Sequence, residues 1–215
     1  MTEQLTPPKS LLLQMTDGVT SEDLRYMVVD QSHLPADLSS FKPLREEARD
    51  NRTYAKHSGG SYELLALETT GRLGGHEVAF AIDQGGATLA EEPAELLEAG
   101  TAVHLFNRDD QARHWIDAEF VTRLRNSVGL EDESGQKLTG VELLEPSGFH
   151  SHCAGLLLLS DVPGGMLAST VVEFQLGRLV GTSWTTAKVD KVYLDLSVRL
   201  GIEQERQIVR TVLGS

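Results

Sequence analysis

The sequence predicts an α+β domain, a mainly antiparallel sheet with helices packed on one face. Three observations carry that reading. Apolar residues alternate with a period of two over several short runs, most of them in the C-terminal third. Several connections between those runs are short and contain glycine, which makes neighbouring strands antiparallel. Two longer stretches instead carry their apolar residues at helical spacing. Strands grouped in this way fit an α+β arrangement better than an alternating, doubly wound parallel sheet.

In chain order, residues 1–50 read as a lead-in segment with Pro7-Pro8 and one short strand, Leu24 to Asp30, and residues 51–215 as a single α+β domain. Tyr62, Leu65, Ala66, Thr69 and Leu73 recur at helical spacing, and Gly74-Gly75 supplies a stop. His76 to Ile82 then sets Val78, Phe80 and Ile82 on one face of a strand. Asp83 to Gly100 reads as a turn at Gly85-Gly86 and a short surface helix over the acidic run from Glu91 to Glu98. Thr101 to Asn107 is apolar on nearly both faces, as in a strand covered on two sides. Asp109 is a cap candidate, after which Ala112, Trp115, Ile116, Phe120, Leu124 and Val128 form one stripe ending at Gly129. Strands follow at Val141 to Leu144, Ala154 to Ser160, Ser169 to Leu176 and Leu179 to Thr186, with turns at Gly164-Gly165 and Gly177-Arg178. Val189, Val192, Tyr193, Leu196 and Leu200 define a final amphipathic helix that Gly201 interrupts before Ile202, Val209 and Leu213.

Composition narrows the function classes. The 215 residues carry 19 basic and 32 acidic side chains, a net charge of −13, which opposes approach to nucleic acid or an anionic membrane. A single cysteine, Cys153, allows no intrachain disulfide. No run approaches the roughly 20 apolar residues of a membrane helix, so no span is expected. The start lacks the basic cluster and apolar run of an export signal. As given, the chain reads as cytoplasmic, or as a cell-envelope or extracellular domain if Met1 replaces a removed signal.

Glycine-rich nucleotide loops, CxxC pairs and a GxSxG elbow are missing, and His76-Glu77 is followed at position 80 by Phe instead of a second zinc-binding His. The one local cluster is Phe149-His150-Ser151-His152-Cys153. An extended backbone would put His150 and His152 on one face and Cys153 on the other, and two imidazoles need at least one more ligand, for which His104 and Asp161 are candidates. Polar residues at a strand end are the expected reading, with no metal, cofactor or catalytic group assigned. Trp115 belongs to the apolar stripe and reads as core. Trp184 differs, because its neighbours Thr182 and Thr185 are small and polar, and these three are the candidate ligand-binding residues.

Two stretches carry a resemblance: Gly100-Thr-Ala-Val-His-Leu-Phe-Asn-Arg-Asp-Asp-Gln-Ala with Trp115, and Ser169-Thr-Val-Val-Glu-Phe-Gln-Leu-Gly-Arg-Leu-Val-Gly-Thr leading into the last helix. They resemble bacterial cell-envelope lipoprotein and sensor domains, including the extracellular sensor domains of actinobacterial protein kinases and similar folds grouped with photosystem accessory proteins. The pattern spans Leu64 to Leu213 and consists of packing motifs. It implies the α+β fold, while the lipobox cysteine and the paired cysteines of many such domains are lacking here. The expected function is a non-catalytic binding or sensing module for a small molecule or a protein. A structural subunit of a larger assembly and a hydrolase or metal-dependent enzyme using His150, His152 and Cys153 are the alternatives. A cleft favours the first, a broad exposed apolar patch the second, and converging ligands the third.

Overall fold

Among the described residues, seven strands pair antiparallel throughout in the order β1-β2-β3-β7-β6-β5-β4. They are β1 (Phe41–Ala48), β2 (Arg72–Ile82), β3 (Leu96–Phe106), β4 (Lys137–Leu144), β5 (Cys153–Val162), β6 (Gly165–Leu176) and β7 (Leu179–Lys188). The helices are α1 (Asn51–His57), α2 (Leu64–Thr69), α3 (Asp109–His114), a π-helical stretch (Trp115–Thr122), α4 (Arg123–Asn126) and α5 (Leu194–Leu213). The computed structural model describes residues 14–57, 64–82, 96–131, 135–188 and 191–214.

The α+β class and the antiparallel sheet are as the sequence predicts, but both faces are covered rather than one. Alternation along the central strands requires it. Val103 and Leu105 of β3 join Phe174, Leu176 and Leu179 in a cluster closed by Leu196, Leu200 and Ile208 of α5. Phe106 and Val180, one position along, join Leu156 in a second cluster closed by Ala112, Trp115, Ile116 and Phe120. A strand apolar on both faces must be buried on both.

Elsewhere the observed elements depart from their expected limits for local reasons. The helix expected from residue 61 is described only as Leu64–Thr69, and Gly71 ends the turn at φ 78°. β2 then starts at Arg72, so Gly74-Gly75 lies within the strand instead of stopping a helix. At Gly75 a β-carbon would sit 2.7 Å from the Val103 carbonyl, so the close approach of β2 to β3 calls for glycine. The turn and surface helix expected at 83–95 lie outside the described residues, and Leu96 to Gly100 extend β3. Gly201 does not interrupt α5, which runs unbroken. A β-carbon there would stand 2.8 Å from the Ser183 hydroxyl, so glycine lets the helix sit close on β7.

Residues before 51 do more than lead in. The strand expected at Leu24 to Asp30 is a single 3-10 turn, Leu24–Tyr26, followed by a short irregular stretch. Side chains of Asp23 and Asp30 bond to nearby backbone N–H groups, which favours turns over strand pairing. Leu24, Met27, Val29 and Leu38 are buried in the α5-side cluster, and β1 extends the sheet by pairing with β2. Arg178, in the β6–β7 turn, ties this segment down by donating to the carbonyls of Thr16 at 2.9 Å and Phe106 at 3.2 Å.

Candidate functional site

Strand alternation divides the three predicted ligand-binding residues. Thr182 and Trp184 project from β7 toward the α3 side, whereas Thr185 projects toward α5, where its hydroxyl lies 2.9 Å from that of Ser197. Ser183, on the same side as Thr185, donates to the Ser197 carbonyl at 2.8 Å, so these two hydroxyls seat the helix. Trp184 packs over Gly100, and its indole N–H donates to Glu98 at 3.0 Å. Glu98 also accepts from Arg45, which donates in turn to Glu77 at 2.8 Å, giving a charged ladder across β1, β2 and β3 that ends on the indole.

His150, His152 and Cys153 are not brought together either. The backbone before β5 is not extended: Gly148 turns it at φ 98°, and no strand covers residues 145–152. The shared face expected for the two histidines is therefore corrected. His150 Nδ1 meets Glu205 of α5 at 3.0 Å, and His152 Nε2 meets Asp117 of the π-helical stretch at 2.7 Å, on the other side of the sheet. Cys153 opens β5 with its thiol donating to the Pro146 carbonyl, and burial, aided by the Glu205 charge, pushes the thiol pKa up. His104 and Asp161, the candidate third ligands, lie elsewhere: His104 is buried beside Arg72, and Asp161 pairs with Lys137 and Met166 in the sheet.

Under the α3-side helices lies a buried polar cluster that the sequence reading passed over. Arg72, 2% exposed, donates to His104 Nδ1 at 3.3 Å, to Asn51 Oδ1 at 2.7 Å and to the Arg49 carbonyl at 2.9 Å, and stacks on Tyr54 at 4.5 Å. Burial, with Arg72 and Arg49 adding to it, holds His104 well below its ordinary pKa, so it is neutral and accepts from the guanidinium. Tyr54 and Trp115 pack edge-on in the same group. Glu173, 5% exposed, faces the Trp115 indole and accepts from Thr182 at 3.3 Å. Burial outweighs those two bonds and pushes its pKa up to about 8. The sequence held one signal for it: Glu173 is a lone acid among Val171, Val172 and Phe174.

A cleft lies on the α5 side, at the edge of the sheet. It has a volume of about 840 Å³, inside the range of roughly 300–1,000 Å³ typical of small-molecule sites. Its floor is Val28, Val29, Pro43, Val78 and Phe80, of which the valines and the phenylalanine are buried in the main core. The walls come from the lead-in turns and the last two turns of α5, with Gln207, Arg210, Thr211 and Gly214. Three bonds fix those walls. Val29 N–H donates to the Thr101 hydroxyl at 3.0 Å, the Thr211 hydroxyl to the Tyr26 carbonyl at 3.0 Å, and Gln31 Nε2 to the Phe41 carbonyl at 3.3 Å. The rim is polar: Arg25, Asp30, His33 and Glu46. Burial works against the Asp30 charge, but bonds from Ser32 and His33 outweigh it and hold the carboxyl below its ordinary range. A second, smaller cleft of about 550 Å³ opens at the start of α5 between Leu96, Tyr193 and the Arg199–Asp37 ion pair.

No family model matches the chain, and no curated protein matches it. A solved structure does: the extracellular domain of PknH from Mycobacterium tuberculosis, at 12% identity and a TM-score of 0.56, over 87% of this chain and 97% of that one. The class is therefore that of an α+β domain with the fold of the PknH extracellular domain. The likeness to sensor-type domains read from the packing motifs holds at the level of the fold. No described helix is long and apolar enough to cross a membrane.

Proposed function

We propose that the domain is a non-catalytic binding or sensing module whose ligand, a small molecule with an apolar body, occupies the cleft between the lead-in turns and the C-terminal end of α5. One observation carries this reading: the cleft is floored by core side chains and rimmed by polar ones, the lining that small-molecule sites share. Its lining comes from four separate stretches of the chain that meet only in the fold, so occupancy would couple to the packing of the lead-in turns, as a sensing module requires. The extracellular origin of PknH supports the second location the sequence allows, the cell envelope or exterior. Fractionation of source cells whose chromosomal gene carries a C-terminal epitope tag, so that any natural leader is kept, tests it, and recovery in the cytosol alone would overturn it.

A neutral environment-sensitive dye such as Nile red probes the cleft itself. Dye fluorescence should rise saturably with one site per chain. Gln207, half-buried on the α5 wall, is the residue to enlarge, and Gln207→Trp should weaken dye binding by about tenfold or more, equivalent to about 1.4 kcal/mol. Equal binding by the variant would remove the cleft from the account.

A further inference from the structure

We propose that α3, the π-helical stretch and α4 form a pH-sensitive cover, closed over the sheet while Glu173 keeps its proton beneath Trp115 and opening locally, with the sheet and α5 in place, when that proton is lost. The inference does not depend on the cleft, which lies on the other face of the sheet. Glu173 stands on β6 between Thr182 of β7 and Ala154 of β5, and is 5% exposed. Its surroundings are neutral. β7 offers the Thr182 hydroxyl at 3.3 Å, the π-helical stretch the Trp115 indole, and β5 the methyl group of Ala154. Tyr54 of α1 feels the Glu173 charge, and burial pushes the phenol pKa up to about 12, so it stays neutral as well. The nearby cations are committed elsewhere: Arg72 to His104, Asn51, the Arg49 carbonyl and the Tyr54 ring, and Arg49 to Glu47 and Glu77 at 2.9 Å each. Charged side chains of the cover point away from Glu173. Asp117 meets His152 at 2.7 Å, Glu119 meets Arg123 at 3.4 Å, and Arg113, His114 and Arg125 are exposed.

A carboxylate placed there would be desolvated with no cation to offset its charge, so the closed protein favours the neutral acid, and burial pushes its pKa up to about 8. With the cover open, the group meets water and titrates in the ordinary carboxylate range. Opening therefore releases a proton. The hold of the neutral acid is complete below that ordinary range and is lost as pH rises to about 8. His104, buried neutral on β3 beside Trp115, works in the opposite sense as pH falls below 6.5. The cover is also the layer suited to give way. It is a single stretch, residues 109–126, with eight residues of π-helix in its middle, a geometry that is rare and frequent at functional sites. Trp115, the residue over Glu173, is the first of those eight. The cover grips the sheet through Ala112, Trp115, Ile116 and Phe120, with Gln175 donating to the Asp109 carbonyl at 2.8 Å. α5 is seated differently, by Ser183 and Thr185 on Ser197 and by Gln204 donating to the Ala102 carbonyl at 2.7 Å. Nothing in that seam changes when Glu173 ionises, so the response is confined to the other face.

The test is native-state amide hydrogen exchange of the whole chain, read as protection relative to the unfolded chain, from the ordinary His104 value of 6.5 up to about pH 8. Amides of residues 112–122 should be less protected than those of β3, β7 and α5 throughout, and their protection should fall by about tenfold per pH unit. In Glu173→Gln, which keeps the shape and has no proton to lose, that slope should vanish. Thr182→Val removes a bond that favours the ionised carboxyl, so it should carry the slope to higher pH than in the parent. Equal protection of the cover and the central strands would show that the layer opens only with the whole domain. That result would overturn the proposal and leave any effect of Glu173 on global stability standing. A cover that opens first but with protection independent of pH, an unchanged slope in Glu173→Gln, or an unchanged end point in Thr182→Val would overturn it too.

Discussion

Replacing Glu173 by Gln should stabilise the domain at pH 8 and flatten its stability between about pH 5 and 8. The folded chain holds this carboxyl as the neutral acid because burial beneath Trp115 and beside Thr182 raises its pKa from 4.5 to about 8. For an acid shifted upward, the folded state binds the proton more tightly than the unfolded state. Its stabilising contribution is complete below the unfolded pKa and is lost as pH rises to the folded one. Integrated over that window the loss is on the order of 3–5 kcal/mol, and a glutamine of the same shape avoids it. The groups nearby are fixed: Trp115 from the π-helical stretch, Thr182 from β7 and Tyr54 from α1, which feels both Glu173 and Arg72. His104, buried neutral, works in the opposite sense, losing stability as pH falls below its unfolded value of 6.5. Urea melts of both proteins from pH 5 to 9 isolate Glu173 in the difference. Parallel curves would show that the carboxyl is ionised or hydrated in the folded protein.

The second large effect is expected at Phe120. It lies in the π-helical stretch, 5% exposed, in the cluster with Trp115, Ile116 and Leu156. Phe120→Ala should cost about 3–5 kcal/mol in denaturant melts, through lost aromatic burial and the cavity left behind. A loss under about 1 kcal/mol would mean that the cluster collapses around the gap or that the stripe does not face the sheet.

These two residues also mark what the sequence makes legible. The stripe from Ala112 to Phe120 is a local pattern, and it finds the helix and the buried face together. Its widening into π turns at Trp115–Thr122, where the stretch lies against β5 and β6, has no counterpart in the spacing. The C-terminal strands were readable for the same local reason, with glycine turns between alternating runs. Alternation also separates Thr185 from Thr182 and Trp184, a distinction that grouping residues by neighbourhood in sequence overlooks. A shared face for His150 and His152 depended on an extended backbone, which the turn at Gly148 does not provide. Least legible were residues 16–38, whose burial depends on partners far along the chain: Thr101 for Val29, Thr211 for the Tyr26 carbonyl. The cleft inherits that difficulty. Its lining is drawn from residues 25–33, 43–46, 78–80 and 207–214, and no motif joins segments so far apart.

Amide chemical-shift mapping during a Nile red titration tests the central claim most directly. The account predicts saturable shifts concentrated at Val28, Val29, Val78, Phe80, Gln207 and Thr211, with β7 near Trp184 and Thr182 unmoved. Shifts centred on Trp184, Thr182 and Glu98, or none that saturate, would contradict it.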